Sequence, residues 1–283
     1  MTEPVELPLY LADVARSFVP DSSLGKARLA RGQFHDVVLV PGVAAVRIAR
    51  RPAAAAQLPR RTELLRRLAR MQLPFAVPVP LSDVLVVDGL TAVVVSWIDG
   101  APGEKGTGQP GPLRQMLAAL AEVPIPMLTD VLGPPHGYCG GSRWAEVITT
   151  EVLPRLPAGW RDEVRRRTEE ALALPDIEPS LVHGDLGGDN VHYDAQGAVV
   201  GILDWDLAQP FDPAVDAACL AWHGWNTVRA AVDETTYRRS RIWWRTFGYE
   251  QIGAAVLNGE PPEIIERYVA ETIAWLERTG ASE

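Results

Sequence analysis

Two short runs of apolar and β-branched residues, 33–40 and 43–49, flank Pro41-Gly42, a pattern that predicts an antiparallel hairpin with a Pro-Gly turn. After Pro52 and a run of alanines, Pro59 opens a segment in which Leu64, Leu65, Leu68 and Met71 recur at helical spacing. Arg66, Arg67 and Arg70 fall on its other faces, so the segment reads as a surface helix packed on a sheet, ended by Pro74, Pro78 and Pro80. Residues 84–87 and 91–97 predict two further strands joined by an Asp88-Gly89 turn. The first hundred residues therefore read as β-β-α-β-β.

Residues 99–111 hold five Gly and two Pro, which marks a connector and places a domain boundary there, with one domain over 1–98 and a second over 99–283. Gly106, Gly108 and Gly111 match GxGxxG, but no strand precedes them and Pro110 and Pro112 crowd the match, so it is not a dinucleotide fingerprint. Residues 113–123, 144–153 and 160–174 carry helical patterns. Two short apolar runs, 191–193 and 199–203, are separated by turn residues, and helices resume from 215 to the end. No internal repeat is present.

Composition narrows the class. With 283 residues and 47% hydrophobic content the chain can bury a sizeable core, and only Cys139 and Cys219 are available, too few for a disulfide framework or a zinc cluster. They read as small buried hydrophobes. Residues 1–10 lack the basic start and apolar core of a secretory signal, and no apolar run is long enough for a membrane span, so a cytoplasmic, non-membrane protein is expected. The net charge of −9 argues against a nucleic-acid partner. That charge is uneven: residues 1–100 carry 12 basic and 9 acidic residues, whereas residues 101–283 carry 15 and 27. The first part suits a polyanion such as a nucleotide, and the second suits a cationic partner. Lysine is nearly absent, so arginine must serve wherever a cation is needed. The arginines at 60, 61, 66, 67 and 70 read as a solvated face. Trp222, Trp225, Trp243, Trp244 and Trp275 read as core rather than as a ligand platform.

The densest polar grouping is Leu181-Val182-His183-Gly184-Asp185-Leu186-Gly187-Gly188-Asp189-Asn190, followed by Gly201-Ile202-Leu203-Asp204-Trp205-Asp206. Carboxylates beside apolar runs are unfavourable unless something uses them. A hairpin of this length brings Asn190 near Asp204, and two oxygen donors from facing strands are what Mg²⁺ takes when phosphate and water complete its shell. Asp185, five residues before Asn190, could orient a hydroxyl and accept its proton.

HxDxxxxN followed by a strand-borne Asp is similar to the catalytic and metal loops of protein kinases. The His-Gly-Asp version followed by Ile-Leu-Asp-Trp resembles the aminoglycoside phosphotransferase family, the small-molecule branch of that fold. The likeness extends to Asp212-Pro213 and Asp216-Ala217-Ala218, to Gly32 through Val37 and Val46-Arg47-Ile48-Ala49, and to the hinge at 95–100. It implies an α+β, two-lobed, protein-kinase-like fold: an N-lobe with a small antiparallel sheet and one main helix, and a mainly helical C-lobe. It also implies Asp185 as catalytic base, Asn190 and Asp204 as Mg²⁺ ligands, and Ser96, Trp97 and Ile98 on the adenine through backbone groups. Arg47 would take the place of the phosphate-binding lysine with Glu63 as its ion-pair partner, and His183 and Asp216 would support the loop. ATP, or GTP, would be the donor.

Two departures from the family mark this chain: Arg for Lys at 47; and Gly187, Gly188 and Asp189 in the middle of the catalytic loop, where the family has His-Pro-Gly. As in the family it resembles, no Gly-rich loop covers the phosphates, which leaves residues 31–36 as the candidate cover. The acidic second domain favours a cationic acceptor of the aminoglycoside type, with Asp189, Asp206, Glu234 and Glu271 as candidate contacts, and hence a role in antibiotic resistance. A macrolide, or a metabolite such as an amino alcohol or a sugar, is the alternative acceptor, and a nucleotide-binding pseudokinase is the alternative of another class. A protein kinase is excluded, because seven residues between Asp204 and Asp212 leave no room for an activation segment. The assembly would be a monomer or homodimer.

Overall fold

The structure is a computed structural model that describes residues 7–32 and 34–280. Gln33, within the first expected strand and the candidate phosphate cover, lies outside these residues, as do the first six residues of the segment read for a secretory signal. In chain order the helices are α1 (Leu9–Arg16), α2 (Asp21–Leu24), α3 (Pro52–Leu68), α4 (Pro110–Ala121), α5 (Trp144–Val147), α6 (Ala158–Leu172), α7 (Ala214–Cys219), α8 (Trp225–Ala231), α9 (Glu234–Leu257) and α10 (Pro262–Gly280). The strands are β1 (Arg28–Arg31), β2 (His35–Val40), β3 (Ala44–Ala49), β4 (Leu85–Val87), β5 (Leu90–Ser96), β6 (Ala101–Pro102), β7 (Ser180–Val182), β8 (Val191–Tyr193), β9 (Val199–Ile202) and β10 (Gln209–Phe211). None of the described helices is long and apolar enough to cross a membrane.

Where the sequence suggests a single cut after residue 98, the described residues pack as two units whose segments interleave. The first takes the described part of Met1–Glu104 with Pro126–Leu132 and Gly188–Asp206; the second takes Lys105–Ile125, Gly133–Gly187 and the described part of Leu207–Glu283. The β8–β9 hairpin joins the first unit for a definite reason. β8 pairs with β6, and the segment before β4 bonds to the hairpin, with Ala76 N–H donating to the Val200 carbonyl and Ile202 N–H donating to the Ala76 carbonyl, at 2.8 and 2.9 Å.

In the first unit an antiparallel sheet runs β1-β2-β3-β5-β4. Alternation buries Val38 and Val40 on β2 and Val46 and Ile48 on β3 against Leu11, Val14 and Ala15 of α1, which seals one face. Gly42 at φ +73° turns β2 into β3. Asp88 and Gly89, both at positive φ, make the tight turn of the β4–β5 hairpin. Helix α3 starts earlier than its expected opening at Pro59. Pro52 occupies the first turn, where a fixed φ is an advantage, the alanines extend it, and Pro59 sits inside on the exposed side. Strand β1 and helices α1 and α2 are additions to the expected β-β-α-β-β order; they are short, and α1 buries Leu11, Ala12, Val14 and Ala15 on one face.

The second unit is built around α9, which packs on α7, α6 and α10 and buries Trp243, Tyr249 and Ile252 among Trp144, Val147 and Leu276. The expected helix over 144–153 is instead α5 followed by a wide turn at Ile148–Val152 and a tight one at Leu153–Arg155, because Pro154 offers no N–H to continue an α-helix. Of the five tryptophans, Trp243 is core. Trp225, Trp244 and Trp275 form an edge-to-face chain with centroids 5.5 and 5.6 Å apart, and Trp222 is exposed beneath the Lys105 ammonium. Cys139 is buried and Cys219 half-buried, and burial raises both thiols.

Asp212 ties this unit together. It is buried, its Oδ2 accepts from Arg239 Nε at 2.9 Å and Trp243 Nε1 at 2.6 Å, and its Oδ1 accepts the Ala214 N–H that starts α7. Replacing Asp212 by Ala leaves the Arg239 guanidinium without its anion. The expected result is a loss of about 3–5 kcal/mol in denaturant unfolding at unchanged m-value, and a change below about 1 kcal/mol would refute this role.

Candidate active site

The chemistry-bearing residues fall into two groups, one in each unit. In the second unit, β7 ends at Val182 and the chain turns through His183, Gly184 and Asp185. Gly184 sits at φ +85°, and a side chain there would press within 3.1 Å of Leu207, so the turn requires glycine. Both carboxylate oxygens of buried Asp216 on α7 accept backbone N–H groups of this turn, His183 N–H on Oδ2 and Gly184 N–H on Oδ1, each at 2.8 Å. The buried His183 ring fixes the residue two positions on: its Nδ1 accepts the Asp185 N–H at 3.2 Å, which makes His183 part of the scaffold, and the Asp185 side chain is exposed to solvent. Burial pushes Asp216 up to about 7, assisted by the nearby Asp185 carboxylate, while the two N–H donors pull the other way.

In the first unit, Gly188–Asn190 forms a tight helical turn into β8, and Leu203 N–H donates to the Asn190 carbonyl at 2.8 Å. This bond, with Val191 opposite Ile202 in the hairpin register, sets Asn190 across from the chain entering Asp204. Asp204 adopts φ +52°, an uncommon backbone for a non-glycine residue, and keeps 51% of its side chain open. Crowding by the surrounding protein and the Asp206 carboxylate both push Asp204 up, while the Arg47 and Arg61 guanidiniums pull the other way. An amide oxygen and a carboxylate are hard donors of the kind Mg²⁺ accepts, and the described residues hold no cluster of three or more His, Cys, Asp or Glu that would suit a metal held by protein alone. The donor set thus fits a magnesium ion completed by phosphate and water.

Arg47, on β3, donates from Nη2 to Asp206 at 2.8 Å and to Asp204 at 3.2 Å. Burial works against its charge, but the two carboxylates outweigh burial and hold the guanidinium above its ordinary value. His35 lies 3.3 Å from both Arg47 and Asp206 and is driven down to about 3, first by burial and then by the Arg47 cation, so the ring is neutral.

Several expected contacts are different. Glu63 does not pair with Arg47; it bonds Arg67 one turn along α3 at 3.0 Å, and Arg67 reaches on to Asp130. The helix turns Arg61 inward instead, onto Asp206 at 2.8 Å. Asp206 is therefore no surface contact for an acceptor, since its carboxylate lies buried between two guanidiniums. The arginine face is not simply solvated either, for Arg60 caps the Val131 carbonyl and Arg66 pairs with Asp83. The helical stripe Ala54, Leu58, Leu65 and Leu68 carries the signal for Arg61, which stands three residues after Leu58 and four before Leu65. Glu234 pairs with Arg229 and Arg238, and Glu271 with Arg267 on its own helix, while Asp189 is exposed in the Gly188–Asn190 turn. In the hinge, Ser96 gives its N–H and accepts with its hydroxyl at the Val79 backbone, and Ile98 is buried against Gly201, where a Cβ would come within 2.2 Å of it.

Residues 27–254 match the family described as "Phosphotransferase enzyme family". Over 296 aligned residues the chain is 29% identical to a viomycin phosphotransferase of Streptomyces vinaceus, covering 90% of this chain and 95% of that protein. Among solved structures, the GDP and kanamycin complex of APH(2")-IIia superposes with a TM-score of 0.77 at 19% identity, over 97% of this chain and 99% of that one. The macrolide 2'-phosphotransferase MphH from Brachybacterium faecium superposes with a TM-score of 0.67 at 19% identity, over 94% and 98%. These likenesses give the chain the protein-kinase-like α+β fold.

Because Asp216 holds its proton to about pH 7 when folded and to about 3.8 when unfolded, the stability it contributes is complete below pH 4 and is lost as pH rises through 7. Unfolding free energy measured across this window should lose that component of its slope in Asp216→Asn. Asp216→Ala should in addition destabilise by about 2–4 kcal/mol, because two buried N–H groups lose their acceptor. An identical pH profile in wild type and Asp216→Asn would refute the assignment.

Proposed function

We infer the reaction from one premise: the chain belongs to the phosphotransferase enzyme family. As a member it is a small-molecule kinase, and we propose that it moves the γ-phosphoryl group of ATP to a hydroxyl of a cationic antibiotic, of the viomycin or aminoglycoside class. The observation that carries this reading is the pairing of two hard oxygen donors, Asn190 and Asp204, through the Leu203–Asn190 backbone bond, with the Arg47 guanidinium on Asp204. Asn190 and Asp204 would hold Mg²⁺, which supplies charge neutralisation on the phosphates. Arg47 binds the α/β-phosphates as a permanent cation, and the backbone of Ser96, Trp97 and Ile98 takes the adenine. Asp185 orients the acceptor hydroxyl and takes its proton as the new O–P bond forms and the bond to the departing ADP breaks. Asp216 and His183 contribute by fixing the backbone on which Asp185 rides. The surplus of acids in residues 101–283 favours an amine-bearing acceptor.

A coupled ADP-release assay with Mg·ATP or Mg·GTP against viomycin, aminoglycosides, macrolides, amino alcohols and sugars tests the proposal. Turnover is expected on viomycin or an aminoglycoside, reduced about 100-fold or more in kcat by Asp185→Ala with nucleotide affinity retained. Turnover confined to a macrolide or an uncharged sugar would overturn the cationic acceptor, and normal kcat in Asp185→Ala would remove the base. Asp204→Ala should abolish the Mg²⁺ dependence of nucleotide binding; Mg·ATP affinity equal to wild type would place the metal elsewhere.

A further inference from the structure

Three side chains converge on one oxygen in the first unit. Asp206 Oδ2 lies 2.8 Å from Arg47 Nη2, 2.8 Å from Arg61 Nη1 and 3.3 Å from His35 Nδ1. The group is nearly closed to water: the side chains of Asp206 and His35 are each 4% exposed and those of Arg47 and Arg61 each 11%. Within it, Asp206 Oδ1, Arg61 Nε and His35 Nε2 are buried without a protein partner. A buried carboxylate shared by two guanidiniums is no better for stability than a well-packed apolar cluster, so its presence points to a task in position rather than in holding the fold.

Arg47 needs an anion that stays with it. Helix α3 offers none, because Glu63 is turned to Arg67, and what α3 presents instead is Arg61. Asp204 touches Arg47 at the longer distance of 3.2 Å, is half exposed, and is the carboxylate proposed above for the metal. A cation on Asp204 would weaken its hold on Arg47. Asp206 has no such competing duty: it is enclosed, and Arg61 grips it from the other side.

We propose that Asp206 is the positioning residue of Arg47, holding the β3 guanidinium toward the nucleotide phosphates, and that Arg61 on α3 clamps Asp206 in place. The charge arrangement on α3 is thereby reversed, with a cation on the helix and the anion on the loop after β9. The inference rests on the phosphotransferase reading above and deepens it. Asp206 acts through Arg47 and touches no substrate, so removing it should change nucleotide binding and leave acceptor binding alone.

ADP affinity measured calorimetrically with and without Mg²⁺, together with kcat and the KM for ATP and for the acceptor, tests this in the full chain. Asp206→Asn should weaken ADP at least tenfold and raise the ATP KM in proportion, with the acceptor KM within twofold of wild type. Asp206→Glu should recover part of the loss, and Arg61→Gln should show the same split at smaller size. In an Arg47→Gln background, Asp206→Asn should add less than twofold, because the group it positions is gone. ADP affinity within twofold of wild type in Asp206→Asn, or its full effect on top of Arg47→Gln, overturns the proposal. Should Asp206→Asn fail to fold, unchanged ADP affinity in both Arg61→Gln and Asp206→Glu overturns it equally. A wild-type protein that binds no ADP overturns the phosphotransferase reading itself, whereas wild-type binding with insensitivity at Asp206 overturns this inference alone.

Discussion

The Asp206 carboxylate between Arg47 and Arg61 is the contact on which the arrangement of the first unit turns, because it joins a sheet strand, a helix and the loop after β9 at one oxygen. Two unit charges about 4 Å apart attract by about 4 kcal/mol at an effective dielectric constant of 20, and removing each ion from water takes back several kcal/mol, so such a group survives only when its geometry is fixed by everything around it. Here the charges cancel: two arginines meet Asp204 and Asp206, and His35 adds none because burial and Arg47 hold it neutral. Burial alone would raise Asp206, yet the arginines outweigh it and keep the carboxylate ionised. The hydrophobic packing of α3 through Leu58, Leu65 and Leu68 then has a second consequence, since it fixes the height at which Arg61 meets that carboxylate.

The second unit solves a related problem with two acids of its own. Asp216 offers both oxygens to backbone N–H groups and so fixes the turn that carries Asp185, and Asp212 gathers Arg239, Trp243 and the first turn of α7. They differ in what they face. Asp212 meets the Arg239 guanidinium, whereas Asp216 meets amide N–H groups with another carboxylate nearby, and burial lifts Asp216 toward neutrality. In the second unit Asp185 sits on a short turn while its support Asp216 sits on a helix, so a loop as brief as Gly184–Asp185 holds a defined shape.

What the sequence made legible follows from signal length. The β2–β3 and β4–β5 hairpins were readable because alternation and a turn dipeptide agree on register, and the His183 to Asn190 run was readable because its polar residues interrupt apolar strands. Helix α3 was half readable. Beginning it at Pro59 hid Ala54 and Leu58, and without them Arg61 and Glu63 could not be assigned to the inner and outer faces; with them, Arg61 falls on the buried stripe. The segments 126–132 and 188–206 that return to the first unit were not readable; the bonds from Ala76 to the β8–β9 hairpin, for example, join residues more than a hundred positions apart and leave no local pattern. Strand β1 is held by its pairing with β2, and helix α1 by the sheet face it covers.

The acidic excess of residues 101–283 bears on the acceptor in a specific way. Many of those acids are neutralised where they stand: Glu163 by Arg166, Arg167 and Arg245, Glu146 by Arg143, Glu151 by Arg155, and Glu234 by Arg229 and Arg238. Paired charges contribute little beyond their own contact, so on the reading proposed above a cationic acceptor would be drawn by the net surplus of 12 acids, 27 against 15 bases. At physiological ionic strength that field decays over about 8 Å, which limits it to groups close to the bound amine. On that reading charge would bring the acceptor in, while the choice of hydroxyl would fall to shape and hydrogen bonding around Asp185, because a screened field cannot distinguish two hydroxyl groups on one ring.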